Sequence, residues 1–98
     1  MIEHIVLFKF KDETTKEQKD EAIKRLCQLA DVLPGIIDIK AGHNFTDRGK
    51  GYTMGLTVRL ESKEAFDHYG PSEEHQAVLA YLHEIGLEDT LAVDFVIE

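Results

Sequence analysis

Apolar and polar residues alternate from His4 to Phe10, and this period of two predicts that the chain opens with a β-strand. The alternation puts His4 and Phe8 on one face of the strand and Ile5 and Leu7 on the other. Large apolar side chains therefore occupy both faces, whereas a strand with one face in water normally has a polar side.

Three later segments share this period and predict the remaining strands: Ile36 to Gly42, Tyr52 to Leu60 and Leu91 to Ile97. The segment 43–51 between the second and third strands is polar and contains glycines. It is interpreted as an ordinary hairpin connection, with a lid over a binding site as the alternative.

Two helical regions lie between these strands, where apolar residues recur every three or four positions. Thr14 and Thr15 are candidate N-caps of the first helix, because each precedes Glu17 or Gln18 by the three residues of a capping box. Pro34-Gly35 is predicted to end it.

The second helical region is predicted to contain a break. Ser62 caps its first part and Gly70-Pro71 interrupts it, because proline disfavours helical conformation in the residue before it. Ser72 then caps a second part that ends at Gly86. The order β-α-β-β-α-β predicts one α+β domain over residues 1–98, a ferredoxin-like four-stranded antiparallel sheet with helices on one face.

The uncovered face of that sheet is predicted to be apolar. In the last strand Ala92 and Val96 lie opposite the other apolar residues, and we expect Val96 to share the uncovered face with Ile5 and Leu7. Exposing such side chains forgoes roughly 1.5–3 kcal/mol each, which a second copy packed face to face would recover. We therefore predict a two-fold homodimer; scattered apolar residues on an open sheet are the alternative. The residues expected on the helix-covered face of the last strand are Leu91, Val93, Phe95 and Ile97.

Composition excludes several classes of protein. The 98 residues carry a net charge of −8, which argues against nucleic acid as a partner, and 43% are hydrophobic, which argues against disorder. No apolar run approaches the ~20 residues of a membrane span, and no signal peptide is visible, so we expect no membrane partner. One cysteine, Cys27, has no internal disulfide partner and favours a cytoplasmic location.

Several segments together resemble a known family. The opening HIVLFKFKDE, the segment GYT-x5-R-x-ES-x2-A, the pair Tyr69 and His75, and the closing VDFV are similar to the Dabb family of stress-responsive α/β-barrel domains. The resemblance spans nearly the whole chain. It implies a ferredoxin-like subunit whose sheet packs against a second copy to form a dimeric α/β barrel.

The resemblance also implies a site. In the polyketide-cyclase branch of the family, a first-strand histidine, a tyrosine and a histidine six residues later face a pocket between sheet and helices; these correspond to His4, Tyr69 and His75. Leu26 stands where that cyclase has a tyrosine. The His-Pro pair usual before the second histidine is replaced here by Ser72 and Glu73.

These residues suggest proton abstraction next to a carbonyl, as in a cyclase, isomerase or lyase. His75 is the candidate base, His4 orients it or polarises the substrate, and Tyr69 hydrogen-bonds a carbonyl oxygen. The helix N-terminus lowers the pKa of His75, whereas Glu73 and Glu74 raise it, and the sequence is compatible with either effect being the larger. The predicted substrate contacts are Phe8, Phe66 and Leu26.

The alternative is a non-catalytic stress-response or small-molecule-binding protein, in which these side chains only pack. His4 is then a histidine at the core edge, His75 a solvated residue at a helix start and Tyr69 a packing aromatic. We predict no cofactor and no metal, because His68 and His75 lie seven residues apart and no HExxH-type motif exists.

Overall fold

The computed structural model describes residues 1–97, which form four strands, three α-helices and one short 3₁₀ turn. In chain order the elements are β1 (Ile2–Phe10), α1 (Lys16–Val32), β2 (Ile36–His43), the 3₁₀ turn (Asp47–Gly49), β3 (Met54–Leu60), α2 (Lys63–Tyr69), α3 (Glu73–Glu84) and β4 (Leu87–Val96). The strands pair antiparallel in the order β2-β3-β1-β4, which confirms the predicted ferredoxin-like sheet.

The start of α1 follows from one of the two candidate threonines. Thr15 is the N-cap, and it exchanges hydrogen bonds with Gln18: the Gln18 amide donates to Thr15 Oγ1 at 3.1 Å and the Thr15 amide to Gln18 Oε1 at 2.9 Å. Thr14 instead donates its hydroxyl to the Ile85 carbonyl, which ties the start of α1 to the end of α3.

One face of the sheet, the helix face, packs against α1, α2 and α3. The alternate residues of β1 and β3 that point to this face form the core with apolar residues of the helices. Leu26, Val58, Leu60 and Leu82 are at most 1% exposed. Burial of this kind is the dominant favourable term in folding.

The other side of the sheet, the open face, is covered by none of the helices in residues 1–97. The register pairs Ile5 with Val93 and Leu7 with Leu91, and directly opposed residues share a face, so these side chains all point to the open side. Leu91, Val93 and Phe95 are 50%, 53% and 46% exposed there. The open face is thus apolar along β1 and β4, as the alternation in β1 predicts.

The predicted orientation of the last strand was wrong. Val96 pairs with Ile2 and Ala92 with Val6, both buried residues of the helix face, so Val96 lies on the covered side of the sheet and Leu91, Val93 and Phe95 lie on the open side. The strand also begins at Leu87 rather than Leu91, and β3 begins at Met54 rather than Tyr52. Alternation separates two faces, but only pairing with β1 tells which face the helices cover.

Candidate functional site

A cleft of about 260 Å³ opens on the helix face, between β1 and the junction of α2 with α3. A second hollow of about 380 Å³ adjoins it, and the two share Phe66 and Asp67 in their walls. The residues that line the cleft are His4, Phe66, Asp67, Tyr69, Gly70, Pro71 and His75. The structure thus brings together four of the six predicted site residues: His4, Phe66, Tyr69 and His75.

The break between α2 and α3 positions His75. Ser72 caps α3: its hydroxyl accepts a hydrogen bond from the His75 amide at 3.2 Å and donates one to the Tyr69 carbonyl at 2.7 Å. Ser72, which replaces the histidine of the family's usual His-Pro pair, therefore closes the turn itself. His75 becomes the third residue of α3, directed back towards the break.

The tautomer of His75 follows from its partner. His75 Nδ1 lies 3.0 Å from the Gly70 carbonyl oxygen, which can only accept, so Nδ1 carries the hydrogen. The Gln76 side chain donates to the same carbonyl at 2.8 Å and helps to fix it. A neutral His75 therefore keeps its lone pair on Nε2.

The environment of His75 favours this neutral form. Burial lowers the pKa of His75, and the nearby His4 acts in the same direction, while the hydrogen bond to Gly70 opposes them. Burial is the largest of these three influences on the pKa of His75. His75 is thus unprotonated at neutral pH, as a general base must be.

His4 has a partner that the sequence did not reveal. Its Nδ1 pairs with the carboxylate of Asp94, the residue directly opposite in the β1–β4 ladder. The carboxylate accepts from Nδ1–H, which leaves Nε2 of His4 as the second functional atom. The His4 side chain is 14% exposed, and its ring contacts Phe66 and Tyr69 edge-on with centroids 5.7 Å apart in both cases.

Tyr69 links the two histidines. Its ring centroid lies 4.5 Å from that of His75, and the residue is only 4% exposed. Burial raises the pKa of Tyr69, so the phenol stays protonated. Its hydroxyl is buried without a hydrogen-bond partner among residues 1–97, which is rare in folded proteins because such a group costs about 1–3 kcal/mol.

The other two predicted substrate contacts lie elsewhere. Phe8 and Leu26 are 3% and 1% exposed in the core, and neither lines the cleft, so a substrate would reach them only if the core opened. Within residues 1–97, no three histidine, cysteine or acidic side chains gather as metal ligands. None of the helices in that range has the length and apolar character that a bilayer span requires.

Comparisons with known proteins agree with this fold. The chain is 36% identical to olivetolic acid cyclase of Cannabis sativa over 70 residues, 69% of each protein. A dimeric ferredoxin-like protein of unknown function from Thermobifida fusca superposes with a TM-score of 0.84 at 27% identity, over 98% of this chain and 90% of the other.

Two further structures share the fold. An Arabidopsis thaliana protein gives a TM-score of 0.88 at 24% identity over 100% of this chain and 96% of its own, and a hydroxynitrile lyase of Passiflora edulis gives 0.86 at 20% identity over 99% and 93%. The family profile described as the stress responsive A/B barrel domain matches residues 2–97. The chain therefore belongs to the Dabb family.

Proposed function

We propose that the cleft binds a small carbonyl compound and that His75 removes a proton from the carbon next to its carbonyl group. The observation that carries the proposal is the hydrogen bond from His75 Nδ1 to Gly70, which leaves the lone pair on Nε2. The lowered pKa of His75 keeps this nitrogen free to accept a proton at neutral pH. The proton moves to Nε2, and the electrons of the C–H bond pass to the carbonyl oxygen.

Tyr69 lines the cleft, and its hydroxyl is the proposed donor to that oxygen. The hydroxyl is itself buried, so the substrate would reach it only if the cleft opened further. As the enolate forms, negative charge develops on oxygen, and a buried donor without a competing partner among residues 1–97 stabilises that charge strongly. His4 contributes from β1, beside Tyr69: Asp94 accepts a hydrogen bond from its Nδ1–H, so that Nε2 can accept from the substrate or, when protonated, donate to it. The nearby His4 also helps to lower the pKa of His75.

The enolate carbon has three outcomes that need no cofactor. It attacks a second carbonyl of the same molecule and closes a ring, takes the proton back from His75 at another atom, or expels a group on the neighbouring carbon. These are cyclase, isomerase and lyase reactions. The similarity to olivetolic acid cyclase supports the first of them, and the cytoplasm, favoured by the free thiol of Cys27, is the proposed location.

Hydrogen exchange tests the proton transfer without knowledge of the natural substrate. Acetone, cyclohexanone and acetophenone are incubated with the protein in D₂O, and loss of the α-hydrogen signals is followed by proton NMR. We expect His75→Ala to lose roughly a hundredfold or more of the enzymatic exchange rate, a typical general-base contribution. His68→Ala is the matched control, because His68 is exposed at the end of α2 and does not line the cleft.

Equal exchange by His75→Ala and the wild type would refute the assignment of the base. The absence of exchange with every probe, combined with ketone binding that depends on Tyr69 and His75, would favour the alternative of a non-catalytic binding protein. Saturable shifts of the histidine ring signals would detect that binding.

We also propose that the protein is a homodimer in which two open faces pack together. The supporting observation is the row formed by Leu91, Val93 and Phe95, whose half-exposed side chains would each recover roughly 1 kcal/mol or more on burial. The Thermobifida fusca protein, at 27% identity, is dimeric.

Sedimentation velocity at micromolar concentration tests the dimer. Val93→Lys should produce monomers, because it places a charge in the centre of the apolar row. Val32→Lys is the matched control: Val32 is similarly exposed, at 57% against 53%, but lies at the end of α1. A folded wild-type monomer at this concentration would refute the dimer.

A further inference from the structure

The open face carries a hollow of about 420 Å³ on the opposite side of the sheet from His4. Its floor is formed by Gly42 of β2 and Gly55 of β3, which pair directly opposite each other, with Leu7 beside them. Its wall is the 44–53 connection, including Phe45. The hollow thus adjoins the apolar row through Leu7, whose partner in the ladder is Leu91.

The subunit itself does not require these two glycines. A Cβ atom built on Gly42 meets nothing within 4 Å, and one on Gly55 would lie 3.8 Å from a methyl carbon of Leu7, an ordinary contact. Neither glycine has the positive φ angle that other residues avoid. Glycine inside a strand costs roughly 0.5–1 kcal/mol relative to alanine, so the missing side chains point to a group that approaches from outside the subunit.

Phe45 is 95% exposed, more than any other large hydrophobic residue described in the structure. Its loop is ordered by the Asn44 side chain, which accepts from the Thr46 amide at 3.1 Å and donates to the Tyr52 carbonyl at 3.3 Å. The aromatic ring is therefore held in water at the rim of an apolar hollow, an arrangement typical of a contact residue.

We propose that the glycine-floored hollow receives the partner's Phe45 in the homodimer, on which this inference rests. In a two-fold dimer the same surface patch of both protomers forms the interface. When the two-fold axis passes between Phe45 and the hollow, the ring of each protomer enters the hollow of its partner. The charged side chains of this face are paired within the subunit: Arg59 with Glu3 at 3.0 Å and Lys40 with Asp38 at 3.3 Å. Because these charges already have partners, the face suits a second copy of the chain better than a highly charged protein.

Substitutions that fill the hollow or remove the ring test the contact through the dimer dissociation constant. Gly42→Val adds a side chain that the isolated subunit accommodates, and Phe45→Ser removes a side chain that makes almost no contact within it. Thr57→Val is the matched control, because it places valine on the same face outside this hollow without adding volume. Fluorescence-detected sedimentation reaches the nanomolar range that a tight dimer requires.

We expect Gly42→Val and Phe45→Ser each to weaken the dimer about tenfold or more, with Thr57→Val unchanged. The dimer dissociation constant of the double variant should not exceed the larger of the two single-variant values, because both changes remove the same contact. Urea unfolding and circular dichroism confirm that each variant is folded.

Three results would overturn the inference. Dimers of Gly42→Val as tight as the wild type would show that the hollow stays empty, and losses that add in the double variant would show that the ring and the hollow have separate partners. Binding of the apolar dye 8-anilinonaphthalene-1-sulfonate that is lost in Gly42→Val but leaves the dimer dissociation constant of the wild type unchanged would make the hollow a small-molecule site. By contrast, a monomeric wild type would refute the homodimer itself, so the two proposals fail by different measurements.

Discussion

Replacing Tyr69 by phenylalanine should stabilise the folded protein while it removes activity. The Tyr69 hydroxyl is buried without a partner among residues 1–97, and leaving such a group unpaired costs about 1–3 kcal/mol. Tyr69→Phe removes the hydroxyl and loses only a small part of the packing of a residue that is 4% exposed. We therefore expect the free energy of unfolding to rise by about 1 kcal/mol.

For a domain of this size such a gain raises the melting temperature by about 4–8 °C. Thermal and urea unfolding measure the gain, and the D₂O exchange assay measures the loss of the donor for the enolate oxygen. Tyr52→Phe is the matched control: the Tyr52 hydroxyl donates to Asp89 at 2.7 Å, so its removal should destabilise slightly, by up to about 1 kcal/mol.

A variant that gains stability but loses exchange activity identifies the Tyr69 hydroxyl as a functional group, because a residue that only packs would not show both changes. If Tyr69→Phe unfolds more easily than the wild type, the hydroxyl has a partner in the folded protein, and its availability to a substrate is refuted. If stability rises but exchange activity is unchanged, the hydroxyl is unpaired but takes no part in the reaction.

Two further predictions concern His75 and its helix. Since burial and His4 hold the pKa of His75 below its ordinary 6.5, the unfolded chain binds more protons there as pH falls through 6.5, so stability should decrease with falling pH. Urea titrations at pH 7.5 and 5.5 give the difference in the free energy of unfolding between the two pH values. His75→Gln should make this difference smaller than in the wild type, and an equal difference would contradict the assignment. Ser72→Ala should cost about 1 kcal/mol through loss of the α3 cap and also slow exchange. Ser62→Ala, which uncaps α2, should cost similar stability without slowing exchange, and equal slowing would contradict a role for Ser72 in orienting His75.

The order of elements was predictable because each element has its own local period and its own cap. Thr15, Ser62 and Ser72 lie where the capping rules place them, and the Gly70-Pro71 segment divides α2 from α3. These are interactions between residues within about five positions of one another, which a single sequence displays directly.

The pairing between strands that are distant in the sequence could not be predicted from the sequence. Asp94 faces His4 only because β4 pairs with β1 in one register, and the two residues are 90 positions apart. The same register decides that Val93 rather than Val96 lies on the open face. Phe66 lines the cleft, whereas Phe8 and Leu26 lie in the core at 3% and 1% exposure, a difference that depends on how the helices pack on the sheet.

The proposed base, the carbonyl that sets its tautomer, the cap that orients it and the phenol beside it all belong to one stretch of seven residues, Tyr69 to His75. A few substitutions, or one inserted residue, within that stretch can silence or redirect the chemistry while the β-sheet behind it stays intact. Proteins built on this scaffold can therefore diverge in reactivity much faster than in architecture. Comparing this one short segment is consequently a more direct way to sort them by activity than comparing whole chains.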